Sequence, residues 1–202
     1  MAQGKPAGLR GQPHQVRIIG GLHRGRKLPV NDAPGLRPTP DRVRETLFNW
    51  LGQNLSGWHC LDLFAGSGAL GFEAASRGAA SVILVEQAKL VARSLQIAAE
   101  TLKDPAIRVV CADALAFLKK PQGLAPLDLV FLDPPYGQGW LDRVIMLLLP
   151  HLATDARLYI EAEVALPDQL LPGLVCLRRG QAGQVHYHLY EYDINASTIG
   201  SS

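Results

Sequence analysis

Three cysteines in 202 residues, Cys60, Cys111 and Cys176, are too few and too scattered for a disulfide framework or the paired spacings of a zinc site. Each falls in an apolar segment, so the expectation is three buried, inert thiols. No apolar run is long enough to span a bilayer, and no membrane partner is expected. The first fifteen residues, MAQGKPAGLRGQPHQ, lack the apolar centre of a secretory signal. These absences together point to a soluble, cytoplasmic protein. No internal repeat is present, which excludes solenoids and propellers. His186 and His188 share a strand face but have no third ligand with them, so no metal is expected. Net charge is also low, at +2.

With 48% apolar residues, the chain can bury a core of its own and fits one domain with small additions. The low net charge hides an uneven distribution. Residues 1–45 hold nine Lys/Arg against three Asp/Glu, whereas residues 46–202 hold eleven against fifteen. A basic arm on an acidic body suits a polyanion docked at one end, and nucleic acid is the expected partner. The alternative is a tail that only solubilises.

Residues 1–15 are rich in Gly, Pro and Gln; they and 194–202 are expected to be disordered. Within 16–36, VRIIGGLHRGRKLPV reads as two short strands around Gly20-Gly21 and Gly25, a basic hairpin. Arg17, His23, Arg24, Arg26 and Lys27 would line one small surface, where such charge positions a nucleic-acid backbone without reading its sequence. The main domain is expected over 37–193 and opens with helix signals. Thr39 is the expected N-cap, Pro40 the first helical residue and Gly52 the stop. Val43, Leu47, Trp50 and Leu51 form one apolar face. Arg42 and Arg44 do not fit that face; they either stay in solvent or reach a substrate.

From about residue 59 to 163, strand and helix patterns alternate, and an antiparallel pair follows around Gly180 and Gly183. That is a doubly wound α/β sheet whose last strands reverse. In such sheets ligands sit beyond the carboxyl ends of the strands. One strand, Leu127–Leu132, is apolar and stops at Asp133, Pro134, Pro135 and Tyr136. Two prolines cannot continue a ladder, because each lacks the backbone donor. The strand therefore presents a carboxylate, a stiff backbone and an aromatic ring at its end. This cluster suits attack by a conjugated amine. The Asp133 carboxylate and Pro134 carbonyl can accept the amine's hydrogens and favour a pyramidal, nucleophilic nitrogen, while Pro134-Pro135 keeps them aimed. Tyr136 offers a face to a base taken out of its stack. Without that chemistry, the segment would be a rigid turn with Asp133 as its cap.

The strand at 59–64 feeds Ala65-Gly66-Ser67-Gly68-Ala69-Leu70-Gly71, a glycine turn that allows close backbone approach by a ligand. The next strand, 81–86, ends in Glu86, twenty residues after Gly66 and placed to hold ribose hydroxyls. Gly66, Gly68 and Gly71 match the dinucleotide pattern literally. Asp62 argues against that reading, because a carboxylate there is awkward beside a pyrophosphate. It suits a cation, such as the ammonium and sulfonium end of S-adenosylmethionine. Asp113-Ala114, at the end of the strand 108–113, lies where a bound adenine would be, although Asp113 can equally cap the short helix that follows.

In this order Asp62-Leu-Phe-Ala-Gly-Ser-Gly, Glu86, Asp113-Ala114 and Asp133-Pro-Pro-Tyr resemble the class I S-adenosylmethionine-dependent methyltransferases that act on amino groups. RIIGGLHRGRKLPV followed by RPTPDRVRETLFNWL closely resembles the RsmD family, bacterial guanine-N2 methyltransferases of small-subunit (16S) ribosomal RNA; the resemblance covers about residues 16–192. It implies a Rossmann-like, mostly parallel seven-stranded sheet with an antiparallel C-terminal strand and a small N-terminal β-hairpin extension. It implies Asp62, Gly66, Ser67 and Gly68 against the methionine end of the cofactor, Glu86 at the ribose, and Asp113 and Ala114 at the adenine. Asp133 and Pro134 would hold the target amine, stiffened by Pro135, and Tyr136 the flipped base. Arg17, Arg24, Arg26, Lys27 and Arg42 are the expected RNA contacts. The implied partner is ribosomal RNA on assembled or partly assembled small subunits, bound by a monomer.

Three rivals remain at this level. Adenine, cytosine or a glutamine amide would suit Asp133-Pro-Pro-Tyr as well, since the motif selects an amine and not a base. A dinucleotide-dependent oxidoreductase is opposed by Asp62. A non-catalytic RNA-binding module is opposed by the intact cofactor loop beside Asp133 and Tyr136.

Overall fold

The computed structural model describes residues 15–29, 39–121, 123–135 and 139–193. Short apolar strands alternate with amphipathic helices through the middle of the chain, and each helix returns the chain to the same edge of the sheet. The strands β3 (His59–Asp62), β4 (Ser81–Glu86), β5 (Ile107–Cys111), β6 (Leu127–Leu132) and β7 (Leu152–Ala162) are parallel. Strands β8 (Gln169–Leu171), β9 (Leu174–Ala182) and β10 (Val185–Tyr192) close the sheet by antiparallel pairing. The order is β5-β4-β3-β6-β7-β10-β9-β8. The sheet thus has eight strands where the resemblance implied seven. The extra one, β8, is a three-residue edge strand too short to announce itself by periodicity.

The chain runs outward from β3 to β4 and β5, then returns to β6 on the other side of β3. That reversal makes the gap beyond β3 and β6 the switch point of a doubly wound sheet. Helices α1 (Asp41–Leu51), α2 (Ala69–Ser76) and α3 (Lys89–Leu102) bury Val43, Leu47, Phe72 and Leu95 on one face. Helices α4 (Ala114–Lys119) and α5 (Trp140–Leu148) bury Phe117, Val144 and Leu148 on the other. In α3 the buried set Val91, Ala92, Leu95, Ala98 and Leu102 follows helical spacing, which is why the sequence alone indicated this helix.

The basic N-terminal segment is packed onto the domain. Its strands are β1 (Gln15–Arg17) and β2 (Lys27–Pro29), antiparallel in register, with Ile18 and Leu28 buried in the core of the α1–α3 face. The intervening loop lies on the end of α2, not in a tight Gly-Gly turn. Glu73 accepts backbone N–H bonds from Ile19 and Gly20 at 2.8 Å each, and the Leu22 N–H donates to the Ser76 carbonyl at 2.6 Å. Gly21 is pressed so close, at φ +73°, that an added Cβ would lie 1.7 Å from the Ser76 oxygen.

Two other expectations change here. Cys60 is buried and its thiol is pushed up by burial, but Cys111 is exposed, because β5 is the edge strand; Cys176 is half-buried. His23 is buried against Asp104, with 3.0 Å between Nε2 and Oδ2. His188 is a buried sheet residue whose Nε2 accepts from the Leu166 N–H at 3.1 Å. No helix among the described residues is long and apolar enough to cross a membrane, and no group of three or more His, Cys, Asp or Glu among them is arranged to hold a metal ion. Apart from Gln15, the tails 1–15 and 194–202 lie outside the described residues.

Candidate active site

The carboxyl ends of β3 to β7 open into one cavity of about 1020 Å³. Register determines which side chains reach it. Asp62 pairs with Phe131 across β3 and β6, and Phe131 pairs with Tyr159 across β6 and β7. Partners in adjacent parallel strands point to the same face, and residues two apart share a face. Asp133, two past Phe131, and Glu161, two past Tyr159, therefore join Asp62 on the α1 side of the sheet. All three line the cavity.

Little compensates these carboxylates inside the protein. Asp62 is 3% exposed and accepts one bond, from the Gly71 N–H at 3.0 Å. Burial, with Glu86 and Glu161 nearby, pushes its carboxyl up to about 7, although the Gly71 bond works the other way. Burial also raises the Asp133 carboxyl well above the usual range, helped by Glu161 and Asp62. Glu161 is raised by burial, against the pull of hydrogen bonds from Tyr159 and Thr39.

The cofactor-side residues are held by backbone. The Glu86 carboxylate ties two loops together, accepting from the Gly66 N–H at 3.0 Å and the Ala88 N–H at 2.7 Å. Asp113 caps α4, its Oδ1 accepting from the Ala116 N–H at 2.9 Å, and it also lines the cavity with Ala114. The two readings of Asp113 are compatible, because the cap uses one oxygen. Gly66 and Ser67 line the cavity, but Gly68 does not. Gly68 is the N-cap of α2 at φ +74°, where an added Cβ would lie 2.4 Å from the Phe72 ring and 2.7 Å from Leu95. That conformation lets the turn pack against Phe72 and Leu95.

On the other side of the cavity are Asp133, Pro134, Pro135, Glu161, Thr39, Pro40 and the β9–β10 turn from Ala182 to Val185. Tyr136 and Gly137 lie outside the described residues. Thr39 does not cap α1. Pro40 is the N-cap, without a side-chain bond, and the Thr39 hydroxyl donates to Glu161 at 3.0 Å.

Sequence reading missed Glu161, although a carboxylate between the buried Ile160 and Ala162 of an apolar strand was a legible signal. It also missed Phe64 and Trp140, an edge-to-face pair with centroids 5.5 Å apart at the cavity wall.

The five expected RNA-contacting residues lie on the N-terminal hairpin and in the first turn of α1. All five are exposed. Arg17 is paired at 3.3 Å with Asp41 in the first turn of α1, and Arg42 is next to it, near Thr39 and Pro40 of the cavity. Arg26 reaches the Thr101 carbonyl at the far end of α3, and Arg24 lines a notch with Gln53 and Arg77. Lys27 is the register partner of Arg17 across the β1–β2 ladder. Arg44 is not solvated and does not line the cavity. It is 2% exposed, bonded to Asp41 at 2.6 Å and to the Arg17 carbonyl at 2.9 Å, with Glu73 at 3.5 Å.

A family model described as "Conserved hypothetical protein 95" matches residues 16–191. The chain is 50% identical over 180 residues to the ribosomal RNA small subunit methyltransferase D of Escherichia coli strain K12, covering 88% of this chain and 90% of that one. The Haemophilus influenzae protein of the same name is 45% identical over 181 residues, covering 88% of this chain and 94% of that one. Among solved structures, the candidate methyltransferase yhhF from Escherichia coli superposes with a TM-score of 0.79 at 48% identity, over 89% of this chain and 99% of its own.

Proposed function

Because the chain belongs to the RsmD family, whose curated members are ribosomal RNA small subunit methyltransferases D, we propose that it transfers a methyl group from S-adenosylmethionine to the exocyclic 2-amino group of one guanine in 16S ribosomal RNA. The observation that carries this reading is the charge of the cavity. Among the described residues lining it, Asp62, Glu86, Asp113, Asp133 and Glu161 are acidic, and none is Lys, Arg or His. Such a wall fits a cation with an adenosine attached. It disfavours the pyrophosphate of a dinucleotide, which the oxidoreductase reading would need.

When bound, S-adenosylmethionine supplies an electrophilic methyl on a sulfonium. Asp62 faces its cationic end, with Gly66 and Ser67 alongside. Glu86, already fixed by two N–H donors, has lone pairs left for ribose hydroxyls. Asp113 keeps Oδ2 for the adenine amine, and Ala114 lies beside it.

Asp133 and the Pro134 carbonyl accept the two hydrogens of the target amine. This draws its lone pair out of conjugation and holds it in line. As the N–C bond forms, the methyl's bond to sulfur breaks, S-adenosylhomocysteine is left, and one N–H proton must leave the nitrogen. Asp133, its carboxyl held high by burial and by neighbouring carboxylates, is suited to take it. Pro135 keeps the backbone stiff, and Tyr136 supplies a stacking face for the flipped base. Arg17, Lys27 and Arg42 hold the RNA, and Arg24 and Arg26 contact the same RNA farther along the hairpin. The substrate is RNA on assembled or partly assembled small subunits, met in the cytoplasm by a monomeric enzyme.

The test is methyl transfer from labelled S-adenosylmethionine to small subunits lacking the modification, followed by digestion to nucleosides. Label in 2-methylguanosine is expected. Label in another nucleoside would keep the fold and overturn the target, and no label with the cofactor bound would overturn the enzymatic reading.

A further inference from the structure

Asp133 and Pro134 select an amine without naming the base that carries it, and Glu161 is placed to make that choice. We infer that Glu161 is a specificity-determining residue: it accepts the ring N1–H that guanine, unlike adenine or cytosine, carries next to its exocyclic amine. The inference rests on the methyltransferase reading above and adds the means of base selection to it.

Position comes first. Leu132 and Ile160 are register partners across β6 and β7, so Asp133 and Glu161 are the next residues along two adjacent strands. Both open into the cavity with Pro134. An acceptor at Glu161 is therefore next to the acceptor that takes the amine.

Preorganisation comes second. Glu161 is 5% exposed and follows three fully buried residues, Leu158, Tyr159 and Ile160. A carboxylate costs stability in such a place unless it is bonded. Glu161 Oε1 takes two donors, the Tyr159 hydroxyl at 2.9 Å and the Thr39 hydroxyl at 3.0 Å. These fix the plane of the group. Oε2 takes no hydrogen bond from the described residues and is not among their sealed, unpartnered atoms. It is the acceptor left for a ligand.

The chemistry of the base edge then discriminates. Next to its amine, guanine presents N1–H, a donor. Adenine presents N1 and cytosine N3, both lone pairs. Beside Glu161 the guanine edge is satisfied, whereas the other two set a lone pair against a carboxylate oxygen with no water to intervene. Rejection by an unpaired, repulsive contact is how a site discriminates between ligands that share a group.

The experiment uses small subunits reconstituted with the mapped guanine replaced by 2-aminopurine. This base keeps the 2-amino group and has a lone pair at N1. The wild-type enzyme should methylate it about 10- to 100-fold more slowly than guanine. Glu161→Gln, whose amide can donate to N1, should lose rate on guanine and bring the two substrates within a few-fold of each other, with cofactor affinity retained. If wild type methylates both alike, the inference fails without reference to any variant. If Glu161→Gln keeps the wild-type ratio, Glu161 is only structural. In either case label in 2-methylguanosine from wild type leaves the underlying activity standing; its absence would remove that activity as well.

Discussion

The Thr39 hydroxyl donates to Glu161 Oε1 at 3.0 Å and so ties the residue ahead of the α1 N-cap to the end of β7, across 122 positions of sequence. The same oxygen accepts from Tyr159, and the bridge forms part of the cavity wall. Thr39→Val keeps the shape and removes one donor. It should cost about 1 kcal/mol, a fall in Tm of about 2–4 °C for a domain of this size. Thermal unfolding followed by circular dichroism reads this, and an unchanged Tm would show the bond to be energetically idle.

Glu73 is the node that holds the basic hairpin. It is fully buried, accepts from the Ile19 and Gly20 N–H groups, and pairs with Arg77 at 2.8 Å and Arg44 at 3.5 Å. Glu73→Ala leaves two buried guanidinium groups without their shared anion. A loss of about 3–5 kcal/mol is expected, seen as a lower urea midpoint at unchanged slope. A loss of less than about 1 kcal/mol would show that the hairpin is held by apolar contacts alone.

Asp62 makes cofactor binding depend on pH. Its carboxyl is raised to about 7, so below that value the folded protein holds a proton that a bound cation would expel. Affinity for S-adenosylmethionine, measured by calorimetry, should rise from pH 6 to pH 8 and level off above, with proton release on the acid side. Asp62→Asn should bind more weakly and flatten the profile. The sign for stability is the reverse: because the folded pKa lies above the unfolded value, stability without cofactor falls as pH climbs from about 4 to about 7.

Asp133→Ala should abolish most methyl transfer while cofactor affinity stays within a few-fold, since Asp133 faces the target amine. Single-turnover transfer and equilibrium binding, measured on the same preparation, separate the two effects. A fully active variant would remove Asp133 from the mechanism.

Replacing Arg24, Arg26 and Lys27 together by Ala should weaken RNA binding and reduce its salt slope, each lost phosphate contact lowering the slope by about one. Arg24 and Arg26 do not line the cavity, so affinity should suffer more than the rate at saturating subunits. Binding that is unchanged across salt concentrations would mean that these cations do not touch the RNA.

Much of the site was legible because its signals are local. Strand 127–132 and its stop at Pro134, the acid twenty residues after Gly66, and the spacing of α3 depend on neighbours in sequence, and the structure keeps them. Gly68 fits a ligand-binding pattern, and what the pattern did not show is that its freedom also serves packing against Phe72 and Leu95.

By itself, then, the sequence determined the alternation of elements, the glycine turn, and the carboxylates Asp62, Glu86, Asp113 and Asp133 at strand ends. All of these follow from backbone preferences and apolar periodicity over a few residues. Only the tertiary structure decided that Thr39 serves Glu161 instead of its own helix and that Arg44 and His23 are buried. It alone brought Glu161 next to Asp133. The reason is physical: burial and hydrogen-bond partners are set by strand register and helix docking between segments far apart in sequence, where no local pattern carries the information.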